Sequence, residues 1–258
     1  MSAERKIGLL MLFLIVAFSS SAVFLCGDAT YGKLSIPSMT HIFGTDREGF
    51  DLAYMTGKGF FISFFIASTS TLLSLLLSFL IVYFHHGKHF AFLFDVLSSS
   101  LKSVPPLLLA LFFISLSNGG MPSLILSLSL SRIPSLSQIG ISGVRSLERE
   151  EFVLSSRSIG MPWHMLFFRH MARYVAPSMA NQGILVFFST ILAESSLSFL
   201  GFSTYGSSPS LGLLIRKGME YALSYPHLMA FPSLVLFLFL LSVFLVWDGG
   251  RVVDSSAH

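Results

Sequence analysis

Long unbroken apolar runs, rather than stripes or alternations, set the pattern of this chain. A soluble helix repeats its apolar positions every three to four residues, and a half-buried strand alternates them. Here apolar residues run on across 7–26, 60–84, 91–116, 121–144, 178–202 and 226–247. Each run is long enough to cross a hydrocarbon core of about 30 Å. The pattern predicts an all-α membrane protein of about six transmembrane helices. Pro105 and Pro106 fall inside the third run and should kink or interrupt it, because each removes a backbone donor. The fourth run is the weakest, broken by Arg132 and Pro134. Residues 27–59 are polar, with Gly, Pro and Asp, and read as an external loop. Residues 145–177 are charged, with alternating apolar positions, and predict helices outside the bilayer core.

The first run follows Arg5 and Lys6 and has small residues from Ser19 to Ala22, as a cleaved signal would. Leu25 stands where a lipoprotein-type site before Cys26 needs a small residue, so 1–26 reads as an uncleaved first helix.

Composition agrees with the bilayer reading: of 258 residues, 53% are hydrophobic and only 11% charged, with a mean hydropathy of +0.76. The net charge of +3 comes from scattered basic residues without interleaved aromatics, which argues against nucleic acid as a partner and for membrane lipid. A single cysteine, Cys26, excludes an intramolecular disulfide and any CxxC site. His85, His86 and His89 with Lys88 read as a headgroup turn rather than a metal site. With a cytoplasmic N-terminus, alternation puts Lys88, Arg145, Arg149, Arg157, Arg169, Arg173 and Arg251 inside, together with Arg5 and Lys6. Lys33, Arg47, Lys58, Arg216 and Lys217 fall outside. That imbalance follows the positive-inside rule and predicts that both termini and the 145–177 segment are cytoplasmic.

Enzyme readings fail on spacing. There is no HExxH and no GxxxxGK[ST] phosphate loop, so no metal, cofactor or ATP site is predicted within the chain. Gly201-Phe-Ser203-Thr-Tyr205 misses the GxSxG elbow at Tyr205. An intramembrane serine protease needs a serine and a histidine on facing helices, and His227 is the only histidine even remotely placed. The chain is expected to be non-catalytic.

Two features carry candidate chemistry. The first is the charged stretch Glu148-Arg-Glu-Glu151, then Ser155, Ser156 and Arg157, then Ile159-Gly160, with His170 further on. On a helix Glu151 and Ser155 share a face, and Gly160 can take the positive φ that ends such a helix. The result is either a knob that docks in a partner's groove or a solvated loop at the membrane surface. The second is Glu194, a carboxylate inside a span, where charge is costly. Counting at 1.5 Å per residue puts it about 24 Å from the cytoplasmic end, as a gate or pore-lining group or as a carboxyl bonded to Ser195, Ser196 or Ser198. Trp247 and Asp248 mark the inner interface.

The stretch Glu151-Phe-Val-Leu-Ser-Ser-Arg-Ser-Ile-Gly160, with Arg169-His170 and Pro177, resembles the cytoplasmic EAA loop of ABC importer permeases. The resemblance continues at Ala193-Glu-Ser-Ser-Leu-Ser-Phe-Leu-Gly201, Pro209-Ser210 with Gly212, Phe231-Pro232 and Asp248-Gly249 with Arg251. His41-Ile-Phe-Gly-Thr-Asp46 with Gly49 and Asp51, and Pro105-Pro-Leu-Leu-Leu-Ala110, are similar to the second permease subunit of dipeptide and oligopeptide importers. The chain departs from the family at Leu154-Ser155-Ser156, where Glu-Ala-Ala is usual, and at Phe50, Arg173-Tyr174 and Leu211.

The resemblance implies a type I importer transmembrane domain in a bacterial inner membrane, multi-pass. Its division would be a peripheral first helix at 1–26, an external loop at 27–59 and a core permease domain at 60–258. It implies ATPase coupling through Glu151, Ser155, Ser156, Gly160 and His170. It also implies a heterodimer with a second permease, two cytoplasmic ATPase subunits, an external solute-binding protein, and a cargo of peptides or nickel chelates moved by alternating access. The alternative is a stand-alone secondary transporter or channel using Glu194 for a proton or ion, although the sequence shows no internal inverted repeat.

Overall fold

The computed structural model describes residues 3–26, 30–38, 41–117, 119–202 and 209–255. Ser203 and Tyr205, which entered the sequence reading, lie outside the described residues. Helices are α1 (Ala3–Cys26), α2 (Leu52–Phe84), α3 (Lys88–Lys102), α4 (Pro106–Ser115), α5 (Met121–Leu147), α6 (Glu151–Ser158), α7 (Trp163–Leu166), α8 (Ala172–Leu200), α9 (Leu211–Met219) and α10 (His227–Ser255). A π-helical turn, Phe167–Met171, joins α7 to α8. Among the described residues, β-pairing is limited to two isolated bridges, Thr30 with Phe50 and Thr45 with Asp51.

Among the described residues, five helical stretches are long and apolar enough to cross a membrane: Glu4–Leu25, Leu52–Phe84, Met121–Leu147, Trp163–Leu200 and His227–Trp247. The third predicted span is a pair, His89–Lys102 and Pro106–Ser115, bent by 103°. Pro105 and Pro106 cause that break: neither has an N–H to continue α3, and the Pro105 carbonyl instead accepts from Leu108 N at 2.9 Å. With ten residues, α4 is about 15 Å long, half a hydrocarbon core.

The fourth span is a correction. Residues 121–147 form one helix with Pro134 inside it. Serine hydroxyls take up backbone carbonyls around the proline, Ser74 Oγ donating to Ser129 O at 3.0 Å and Ser78 Oγ to Ile133 O at 3.4 Å. Likewise Pro177 lies inside α8 and does not end a loop there. The second span begins at Leu52 rather than near residue 60. Asp51 Oδ1 caps it, accepting from Ala53 N at 2.8 Å and Tyr54 N at 3.4 Å, which starts the helix ahead of the Thr56-Gly57-Lys58-Gly59 stretch that precedes the long apolar run.

The chain divides into two compact units, one of Met1–Ser68, Ser117–Ile125 and Phe188–His258, the other of Thr69–Leu116 and Leu126–Phe187. In the first, α1 packs along α10, with Gly8 so close that a Cβ there would lie 2.9 Å from Leu245 Cβ and from Ser242 O. Phe60 meets Phe239 edge-on at 4.9 Å, and Phe43 stacks on Phe231 at 4.0 Å. In the second unit, Val82, Val144, Val153, Phe167, Met171 and Val175 belong to one buried apolar cluster.

Candidate functional site

In the second unit, the segment after α5 forms a projecting helical turn. Glu150 and Glu151 open α6, where acidic side chains complement the helix dipole. Val153 is fully buried in the apolar cluster and anchors α6, while Glu151, Leu154, Ser155, Arg157 and Ser158 are exposed. Arg157 Nη2 also bonds Glu148 Oε1 at 2.6 Å, tying the end of α6 back to its approach.

Gly160 ends the helix. Its φ is +82°, Gly160 N donates to Arg157 O at 2.9 Å, and Met161 N donates to Ser156 O at 3.1 Å. This pair of bonds is the Schellman closure, which needs a residue that tolerates the left-handed region. No side-chain crowding dictates glycine here, since nothing lies within 4 Å of where a Cβ would sit. The requirement is conformational. The turn leaves Ile159 85% exposed at the tip of the segment, beside Leu154 at 52%. Two large apolar side chains flanked by charges and hydroxyls make a surface suited to a protein groove.

The predicted residues are not equivalent. Glu151 and Ser155 face solvent, whereas Ser156 Oγ bonds its own helix at Phe152 O, 2.7 Å. His170 sits half-buried in the π-turn, its ring 6.3 Å from that of Phe152. The returning helix is fixed by Trp163, whose Nε1 donates to Tyr83 O at 3.1 Å and whose ring stacks on His86 at 4.1 Å. The histidine turn is therefore not simply solvated. His85 Nε2 lies 3.0 Å from Asp95 Oδ1, and Asp95 Oδ2 accepts from Arg145 Nη2 at 2.9 Å. The sequence order hid this carboxylate, which lies two turns into α3.

In the first unit, Glu194 is fully buried near the end of α8. Ser198 Oγ donates to its Oε1 at 2.8 Å and Ser195 Oγ to its Oε2 at 3.3 Å. Ser63 of α2 and Ser210, just before α9, are buried beside the carboxylate. Ser63 Oγ accepts from Leu211 N at 3.2 Å, leaving its proton for Glu194. Gly212 lies so close to Ser195 O that a Cβ would collide with it. Glu194 thus sits where α2, α8 and the start of α9 meet. Helix α9 was missed by sequence reasoning. Its signal was the buried set Leu211, Leu214 and Gly218, one face of a short amphipathic helix.

These helices and the exposed knob between two spans define a multi-pass helical membrane protein. Residues 74–250 match the family model described as "Binding-protein-dependent transport system inner membrane component". The chain belongs to that family, the permeases of ABC importers. It is similar to the dipeptide transport system permease protein DppC of Alkalihalophilus pseudofirmus, 24% identical over 96% of this chain and 85% of the relative. It is 28% identical to a putative peptide transport system permease protein of Brucella suis, over 96% of this chain and 86% of that one. The glutathione transport system permease protein GsiD of Pectobacterium atrosepticum is 27% identical over 83% of this chain and 72% of its own length.

The chain is therefore an inner-membrane permease subunit of an ABC importer, a system that also includes ATPase and substrate-binding components. That membership favours the importer over a stand-alone secondary transporter or channel.

Proposed function

We propose that this chain forms one half of the membrane channel of an importer for di- or oligopeptides, paired with a second permease and driven by two cytoplasmic ATPase subunits. The names of its relatives support the peptide cargo. The observation that carries the coupling assignment is α6 itself: anchored at Val153, closed at Gly160, and exposing Leu154, Ser155 and Ile159. A helix held by its buried side and bare on the other transmits force rather than absorbing it. ATP closes the ATPase pair, that motion acts on α6 and Trp163, and the helices after them reorient so that the channel faces outward. Hydrolysis resets it inward. The chain itself makes and breaks no covalent bond in this cycle.

Glu194 holds α9 against α8 and α2 as part of the outer gate. Its oxygens receive hydroxyls from α8, Ser63 Oγ of α2 accepts from Leu211 N at 3.2 Å, and Gly212 packs against Ser195 O, so moving α9 away from α2 and α8 costs that bond and that contact. The positive-inside count puts α9 and the 27–59 segment outside, with the 145–177 segment and both termini in the cytoplasm. The ion pair of Glu48 with Lys217, 3.5 Å, supports one common face for the two external segments.

A direct test uses Ser155→Cys in a Cys26→Ser background and a short bifunctional thiol crosslinker on the assembled importer. The coupling role predicts a crosslink to an ATPase subunit that strengthens or weakens with ATP. Crosslinking no greater than that of Leu80→Cys on α2 would remove the assignment.

A further inference from the structure

The 41–51 segment and α9 enclose a cavity of about 190 Å³ that the coupling and gating roles leave unused. Its floor is apolar: Leu52, Leu214 and Leu228 line it and are themselves nearly inaccessible, at 2%, 4% and 4% exposure. Its rim carries Arg47, Glu48, Lys217 and Glu220, charges of both signs.

Both walls are held by backbone bonds and close packing. Arg47 and Glu48 ride a tight turn in which Asp46 Oδ1 accepts from Glu48 N at 2.9 Å and Phe50 N at 2.8 Å. Gly49 closes that turn at φ +91°, its N–H bonded to Asp46 O at 3.1 Å. Opposite, Gly218 packs its backbone on that of Leu228, with a built Cβ only 2.6 Å from Leu228 O. Glu48 and Lys217 bridge the rim at 3.5 Å, and both are about half exposed, so a competing charge can replace either partner.

The charged rim, with Asp46 beside it, places the mouth in water or at headgroup level rather than in hydrocarbon. The cavity is therefore open to an occupant from the aqueous side. One water needs about 10–15 Å³ of such space, so the cavity takes one large side chain and its immediate backbone. An apolar pit of that size ringed by charges of both signs is the anatomy of a protein–protein anchor point, and its preorganised walls lower the ordering cost of docking. A binding-protein-dependent system delivers its solute through a protein that must dock on the membrane component.

We propose that this cavity is the anchor pocket for the solute-binding protein. It receives one apolar side chain of that protein, flanked there by an acidic residue facing Arg47 or Lys217 and a basic residue facing Glu48 or Glu220. The proposal rests on the importer reading and on the external placement of α9.

The test uses the complete importer, with its second permease, ATPases and binding protein, in lipid nanodiscs. The ATPase rate is titrated with solute-loaded binding protein for wild type, Lys217→Glu, Arg47→Glu and the conservative Lys217→Arg. Both reversals should raise the half-saturating binding-protein concentration by about tenfold while the plateau rate is still approached, and Lys217→Arg should stay near wild type. Arg47 is exposed on its turn, so its reversal keeps the test available if Lys217→Glu assembles poorly. Unchanged half-saturation in correctly assembled reversal variants would overturn the proposal. So would stimulation of the wild type by free peptide alone that both reversals abolish, because the pocket would then take solute directly. A wild-type complex that ignores the binding protein altogether would instead remove the importer reading beneath it.

Discussion

Gly160, Gly212 and Glu194 each answer to a different physical demand. At Gly160 the demand is φ alone: +82° costs an L-residue about 1–2 kcal/mol, while the space for a side chain is free. Gly160→Ala should therefore loosen the end of α6 without harming the packed core. We expect reduced peptide-dependent ATPase activity at near-normal folded yield, checked by activity per assembled complex. At Gly212 the demand is contact, since a Cβ would strike Ser195 O. Gly212→Val should displace α9, and the readout is increased thiol labelling of Leu211→Cys, a position otherwise fully buried.

Glu194 is held by hydroxyl donors, so Glu194→Ala leaves two buried hydroxyls, those of Ser195 and Ser198, without their acceptor, at about 1–3 kcal/mol for each group left unsatisfied. Glu194→Gln keeps a carbonyl oxygen for Ser198 and should retain most transport. Loss of transport in the Gln variant with folding intact would mean that the charge itself is used, which favours ion or proton binding at this site.

Helices in this protein are joined through hydroxyls as well as through apolar contact. Ser74 Oγ reaches both Ser70 O at 2.8 Å and Ser129 O at 3.0 Å, and Ser129 Oγ returns to Ser70 O at 3.1 Å. Bonds of this kind between membrane helices contribute about 0.6 kcal/mol on average. The double variant Ser74→Ala, Ser129→Ala should thus lower the stability of the α2–α5 pairing by about 1 kcal/mol, measured by unfolding in mixed micelles.

At this scale the sequence was informative where length and composition suffice and uninformative where partners decide. The apolar runs placed the main spans because bilayer thickness dictates helix length, and Pro105-Pro106 marked the 103° break because proline acts locally. Pro134 and Pro177 misled for the complementary reason: a proline inside a membrane helix need not end it, and whether the helix continues depends on the packing around it rather than on the proline itself. Gly160 was legible as a helix end from its own residue type. The serines around Glu194 from α2 and α9 were not, because Ser63 and Ser210 lie far from it in sequence. Asp95 escaped the reading of the histidine turn in the same way.

As a whole, the molecule is a membrane component whose work depends on proteins outside it. Family membership fixes the class of machine, and the exposed tip of α6 is where we place the connection to the motor. The most direct measurement is purification of the tagged chain in mild detergent from its native membrane, with mass spectrometry of bound subunits, comparing wild type with Gly160→Pro. Proline holds φ near −65° and has no N–H, so it can supply neither the +82° backbone nor the bond to Arg157 O. The account predicts that wild type brings down a second permease and two ATPase subunits, and that Gly160→Pro, at equal folded level, keeps the second permease and loses the ATPases. ATPases retained in full by the variant, or never found with the wild type, would contradict it.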